Sequence, residues 1–200
     1  MFRDALGFTL RWEGGFVDDP DDPGGRTNRG VTQRSYDSWR SGKGSPPRDV
    51  KLISDDEVEA IYQHQYWRTA GCDRLGGPLD LITFDTAVNM GVRRSVKILQ
   101  TALGCPADGQ FGPMTARAAG ACDVVATAAA CCRIREGIYQ SLVAKNPALS
   151  KFLNGWLRRV ASLRSAADLP GGATRGGGDV TGGASKIPDL AEDQPLEPWE

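Results

Sequence analysis

The residues best suited to bond-breaking chemistry lie close to the start of the chain. Glu13 falls within Trp12-Glu13-Gly14-Gly15-Phe16, and Asp22 follows within Asp18-Asp19-Pro20-Asp21-Asp22-Pro23-Gly24-Gly25. A carboxyl group set against Trp12 and Phe16 loses hydration, which disfavours its charged form and raises its pKa. A carboxylic acid that keeps its proton near neutral pH can serve as a general acid. Asp22 sits among glycines and polar groups, where a carboxylate stays ionised. One protonated and one ionised carboxyl group form the pair that cleaves glycosidic bonds: the first protonates the leaving oxygen, the second stabilises the cationic sugar or directs water. Asp19 and Asp21 compete with Asp22 for the second role. Each feature also has a structural alternative, since a Glu at a helix end is ordinarily a solvated surface residue and an Asp/Pro/Gly run is ordinarily a loop.

The elements that must position these groups are mostly helical. Phe2 to Trp12 reads as a helix with Phe2, Leu6 and Leu10 on one face, stopped by Gly14 and Gly15. Residues 14–30 are rich in Gly, Pro and Asp and read as an irregular loop or a short β-hairpin. Thr32 is an N-cap for a short helix through Tyr36 and Trp39, and Ser54 with Glu57 forms a capping box. Pro78 suits the first turn of a helix that runs to Gly91, and a further helix covers about 93–103 and ends at Gly104. Asp108 to Gly112 is a turn, and Pro113 opens a short helix. Asp123 caps a long helix with Ile134, Ile138 and Leu142 on one face. Asn146-Pro147 starts the last helix, whose stripe of Leu149, Phe152, Leu153, Trp156, Leu157 and Val160 reads as core. From about Ala166 apolar periodicity gives way to glycine, proline and acidic residues, the composition of a disordered tail.

Composition bounds the function classes. The formal net charge of −1 hides an asymmetry: residues 167–200 hold 7 acidic and 2 basic side chains, leaving 18 acidic and 22 basic, a formal +4, in residues 1–166. That mild basicity suits an anionic polymer and falls far short of a nucleic-acid-binding signature, so no nucleic acid is expected. No stretch approaches the roughly 18 apolar residues of a membrane span, and residues 1–13 lack the apolar core of a signal peptide. The chain is expected to be made in the cytoplasm. Five cysteines (Cys72, Cys105, Cys122, Cys131 and Cys132) with no CxxC pair and only His64 beside them argue for reduced thiols and against a zinc site. The acidic loop does not match the spacing of an EF-hand. Neither metal nor cofactor is expected.

The order of these motifs narrows the reading. Glu-Gly-Gly-Phe at 13–16 and Asp-Pro-Gly-Gly-Arg-Thr-Asn-Arg-Gly-Val-Thr at 22–32 resemble the family 108 glycoside hydrolases, N-acetylmuramidases found among phage endolysins and toxin-secretion lysozymes. Tyr62, Tyr66, Trp67 and Arg68, then Phe84-Asp85-Thr86-Ala87-Val88-Asn89-Met90-Gly91, look like the next signatures of that family. Leu99 to Gly104 with Asp108-Gly109 and Phe111-Gly112-Pro113 look like its associated peptidoglycan-binding segment. The likeness spans about residues 1–165.

The resemblance implies a mainly α, lysozyme-like helical fold. It implies a catalytic region at 1–93, a helical peptidoglycan-binding-like region at 94–165 packed on it, and an unrelated acidic tail at 166–200. It makes Glu13 the general acid, Asp22 the best candidate for the second carboxylate, and Thr27 a residue that orients water. Tyr66, Trp67 and Asn89 become candidates for the sugar groove, against the alternatives that Tyr62 and Trp67 are core aromatics and Asn89 caps its helix. His64 reads as a surface residue. Phe16 departs from the family, where a tyrosine is common. The implied substrate is bacterial peptidoglycan and the implied reaction hydrolysis of the bond between N-acetylmuramic acid and N-acetylglucosamine. The implied protein is a monomer that reaches the periplasm or wall through a holin or another secretion route. A lytic transglycosylase and a non-catalytic wall-binding protein are the competing readings. A stem-peptide peptidase is harder to build, because that chemistry needs zinc ligands or a Cys/His pair.

Overall fold

The computed structural model describes residues 2–18 and 25–169, and they form a mainly α fold with one small hairpin. The helices are α1 (Phe2–Leu10), α2 (Gln33–Gly42), α3 (Asp55–Tyr62), α4 (Leu79–Met90), α5 (Val92–Ala102), α6 (Pro113–Gly120), α7 (Val124–Lys145) and α8 (Ser150–Ala166). The hairpin pairs β1 (Thr27–Asn28) with β2 (Val31–Thr32) in antiparallel register, Thr27 opposite Thr32 and Asn28 opposite Val31. Asp19, Asp21 and Asp22, and the tail from residue 170 onward, lie outside the described residues. The described fold continues past the expected tail boundary, because α8 runs to Ala166 and Leu169 is buried against α7 and α8 residues.

Local chemistry sets the helix ends. Thr32 accepts from the Ser35 amide at the start of α2, and Asp123 accepts from the Ala126 amide at the start of α7. Ser54 and Glu57 complete a reciprocal capping box on α3. Such caps satisfy amide groups that have no partner within the helix. The last turn of α3 widens into a π-helical turn, Gln63–Arg68, a feature frequent at functional sites.

Helix α4 is central. Eleven of its 12 residues are buried, so it touches protein on every side. One apolar cluster packs Ala5, Leu6, Tyr36, Val58, Ile61, Tyr62, Trp67 and Val96 against Phe84, Ala87 and Val88 of α4. A second packs Phe8, Trp12, Leu99, Cys131, Tyr139, Trp156, Val160 and Leu163 against Leu79, Ile82 and Met90. The segments before and after residue 93 therefore share a core, and Ser95 Oγ of α5 donates to the Thr83 carbonyl of α4 at 2.6 Å. A helix buried all round has nowhere to hydrate its polar side chains. Asp85, Thr86 and Asn89 of α4 must find partners inside the protein, because an unpaired buried charge is severely unfavourable.

The core faces of the two long helices differ in one respect from the expected stripes. On α7 the buried face is Ala128, Cys131, Cys132, Arg135, Tyr139 and Leu142, with Ile134 and Ile138 only partly covered. On α8 it is Trp156, Arg159, Val160, Leu163 and Arg164. Arg135 and Arg159 are completely buried, and they are the partners that α4 requires.

Candidate active site

Glu13 stands just beyond α1, where its amide bonds the Leu10 carbonyl, and its side chain is turned inward with 5 % exposure. The chain then runs out along Val17, which exchanges two backbone hydrogen bonds with Thr27 and joins the hairpin to this segment. The hairpin turn is Arg29-Gly30, with φ of 50° and 76°. Two successive positive φ values are those of the tight turn that matches strand twist, and the second position takes glycine readily. Glycine is needed here for a further reason. A Cβ on Gly30 would lie 2.4 Å from Tyr62 Oη and 3.0 Å from Glu13 Oε2, so the bare backbone of the turn rests on the carboxyl group. Tyr62 Oη donates to the Arg29 carbonyl at 2.8 Å and fixes the turn there.

The other carboxylate oxygen has a different neighbour. Arg159 Nη1 donates to Glu13 Oε1 at 3.0 Å. The same guanidinium donates through Nε and Nη2 to Asp85, with 2.7 Å from Nη2 to Oδ1. Asp85 is closed in from two further sides, by Arg135 Nη1 at 2.7 Å and by Thr9 Oγ1 at 3.1 Å. Arg135 Nε donates to Tyr139 Oη, which donates to Asn89 Oδ1 at 2.6 Å. A buried polar chain thus runs from Glu13 through Arg159, Asp85, Arg135 and Tyr139 to Asn89.

The titrations follow from these contacts. Burial alone would raise the Asp85 pKa, but Arg159 and then Arg135 outweigh it and lower it from 3.8 to about 2. Burial opposes the charge of Arg159, yet Asp85 and Glu13 hold its pKa above the usual guanidinium value. Burial, reinforced by the negative field of Glu13, pushes the Tyr62 hydroxyl well up, so it stays a hydrogen-bond donor. Elsewhere burial pushes the Cys131 thiol up to about 12.

The residues singled out from sequence are distributed unevenly around this centre. Thr27 lies in β1 two residues before the turn, half-buried, with its hydroxyl donating to the Gly25 carbonyl at 3.2 Å. Tyr66 is half-buried in the π-helical turn and packs on Tyr62 at 5.4 Å between ring centres. Trp67 is not on a groove wall. It is buried between Phe2 and Phe84, edge-on to both, and belongs to the core. Asn89 is likewise enclosed and is held by Tyr139 rather than serving as a helix cap. Phe16 does not shield Glu13, because it is exposed with Lys51 Nζ 5.4 Å above its ring. The cover over Glu13 comes instead from Gly30, Tyr62 and Arg159. His64 is exposed. A separate cleft of about 460 Å³, lined by Asp4, Phe8, Arg11, Pro78, Leu81 and Asp168 among others, shares no residue with this centre.

Among the described residues, no cluster of His, Cys, Asp and Glu could hold a metal ion, and no helix is long and apolar enough to cross a membrane.

Comparison with known proteins defines the class. Residues 6–91 match the family described as Glycosyl hydrolase 108, and residues 94–161 match the family described as Predicted Peptidoglycan domain. Among solved structures, "Structure of Brucella abortus SagA" is 31% identical, with a TM-score of 0.68 over 83% of this chain and 92% of that one. No curated protein matches the chain significantly. The chain belongs to glycosyl hydrolase family 108. It is a glycoside hydrolase of the peptidoglycan-degrading kind, with peptidoglycan as its partner polymer.

Proposed function

We propose that the protein is an N-acetylmuramidase that hydrolyses the β-1,4 bond between N-acetylmuramic acid and N-acetylglucosamine, with Glu13 as the general acid. The observation that carries this reading is the asymmetry of the Glu13 carboxyl group. Oε1 is engaged by Arg159, whereas Oε2 lies under the bare backbone of the Arg29-Gly30 turn. A proton on Oε2 is placed to pass to the leaving glycosidic oxygen of N-acetylglucosamine. The C1–O4 bond then breaks, positive charge develops on the muramic ring, and water adds at C1. The ionised partner is assigned to the acidic loop, with Asp22 first and Asp19 and Asp21 as its competitors. Thr27 is assigned to orient the water, a role supported by its position at the base of the turn that rests on Glu13. Tyr66 is assigned to meet a sugar face, a role supported by its partial exposure beside Tyr62.

The test compares the native protein with Glu13→Gln on purified cell walls. The native protein is expected to clear a wall suspension, and the amide variant to lose at least about 100-fold in rate, the lower end of what a general acid contributes. Mass spectrometry of the products separates hydrolysis from transglycosylation, because an anhydro product is lighter by one water. A Glu13→Gln variant that clears walls at the native rate would refute the assignment.

A further inference from the structure

The cation beside Glu13 comes from α8, in the segment that matches the peptidoglycan domain rather than the hydrolase family. Its placement is unusually constrained. Arg159 is completely buried and uses Nε, Nη1 and Nη2 at once, Nη1 on Glu13 and the other two on Asp85. A planar guanidinium gripped through two nitrogens along one edge by a carboxylate cannot swing, so its remaining Nη1 is aimed. Asp85 is itself held from α7 by Arg135 and from α1 by Thr9. The carboxylate that fixes Arg159 is therefore anchored on α4, away from the segment that carries Glu13.

We propose that Arg159, oriented by Asp85, is a positioning residue for the proposed acid: by occupying Oε1 it confines the transferable proton to Oε2, on the side of Gly30 and Tyr62. The inference rests on the reading of Glu13 as general acid. It also means that the segment after residue 93 contributes to catalysis and not only to wall binding. Among the described residues, the groups facing Glu13 include Arg159 of α8, the hydroxyl of Tyr62 at the end of α3, and the uncharged backbone of the hairpin turn, with Asp85 of α4 behind Arg159. Arg159 is the cation among them. Loosening its grip frees the carboxyl group to rotate and misplaces the proton it must deliver.

The test measures kcat and KM separately for the full-length native protein, Arg159→Lys and Glu13→Gln on soluble peptidoglycan strands, with folding checked by circular dichroism. Lysine keeps the charge but cannot grip two carboxylates in one plane. Arg159→Lys is expected to lose roughly 10- to 100-fold in kcat, with KM within about twofold. A folded Arg159→Lys with native kcat, or one whose loss lies in KM rather than kcat, overturns the proposal. If that variant does not fold, nitrogen-15 spectra of the arginine side chains in native protein and Glu13→Gln decide. The Arg159 Nη signals are expected to differ between the two, and identical signals overturn the proposal. Native kinetics in Glu13→Gln would instead remove the acid assignment itself. An inactive Glu13→Gln beside an unaffected Arg159→Lys would remove only the positioning role.

Discussion

Replacing Gly30 with alanine tests whether the hairpin turn and the Glu13 carboxyl group form one rigid unit. The backbone there has φ of 76°, where an L residue costs about 1–2 kcal/mol. The new methyl group would also meet Tyr62 Oη at 2.4 Å. That hydroxyl is bound to the Arg29 carbonyl and its ring is buried against Phe84, so it cannot withdraw without cost. Overpacking of this kind costs about 1–3 kcal/mol. The two effects together amount to roughly 2–5 kcal/mol, a fall of about 10 °C in Tm for a chain of this size. The methyl group would lie 3.0 Å from Glu13 Oε2 and displace it, so kcat on peptidoglycan is expected to fall about 10- to 100-fold. Gly71→Ala is the control. Gly71 has φ of 72° and a Cβ there would strike the Phe111 ring at 2.3 Å, a comparable strain among residues that do not touch Glu13. It should lower Tm similarly and leave kcat at 25 °C unchanged. Thermal melts and initial rates on the two variants make the comparison. A Gly30→Ala protein with native kcat, or equal losses of kcat in both variants, would refute the reasoning.

Acid should weaken the fold through Asp85. Its folded pKa of about 2 lies below the unfolded value of 3.8, so its contribution is complete above about pH 4 and is lost as pH falls toward 2. The gap corresponds to about 2 kcal/mol. Urea unfolding from pH 5 to pH 2 should show this loss, and Asp85→Asn should lack it while being about 3–5 kcal/mol less stable at pH 7, because two buried guanidiniums lose their carboxylate. Trp67→Ala should cost about 3–5 kcal/mol in denaturant unfolding, as expected for a core aromatic; native stability with a raised KM would restore it to the groove. Gln100 binds the Asp108 carboxylate, the Gly109 amide, the Gln110 carbonyl and Thr115 Oγ1. Gln100→Leu should therefore speed amide exchange at Gly109 at least about tenfold, and unchanged exchange would count against this clamp.

Much of the fold was legible because its signals are local. A cap, a C-terminal glycine or a proline in a first turn acts within four residues. Ser54 with Glu57, Thr32, Asp123 and Pro113 all sit where their chemistry indicated. The closeness of Glu13 to the Arg29-Gly30 turn was legible too, since both belong to one continuous run of motifs. The location of Trp67 was not legible, for a physical reason. An aromatic in a helical stripe serves equally for core or groove, and only the packing of Phe2 and Phe84 around Trp67 decides between them.

The buried polar chain was the part that local reading missed. Arg159 is 146 residues from Glu13 and 74 from Asp85, and Arg135 is 50 from Asp85. On α8 two arginines are adjacent, Arg158 exposed and Arg159 fully buried, and charge alone does not distinguish them. Periodicity does carry a trace. Trp156, Arg159, Val160 and Leu163 recur at helical spacing, as do Ala128, Cys131, Cys132, Arg135, Tyr139 and Leu142, so each arginine occupies a position on an apolar face. The complementary signal is in α4, where Asp85 and Asn89 lie on a helix buried on every side and so require buried partners. An acid stranded on one such helix and arginines stranded on two others, within one chain, point to each other. The same pairing explains why a glycosidase segment and a peptidoglycan segment, separable as sequence families, have a common core. The joint between them is a single glycine between α4 and α5, and the charge that holds the proposed acid comes from across that joint.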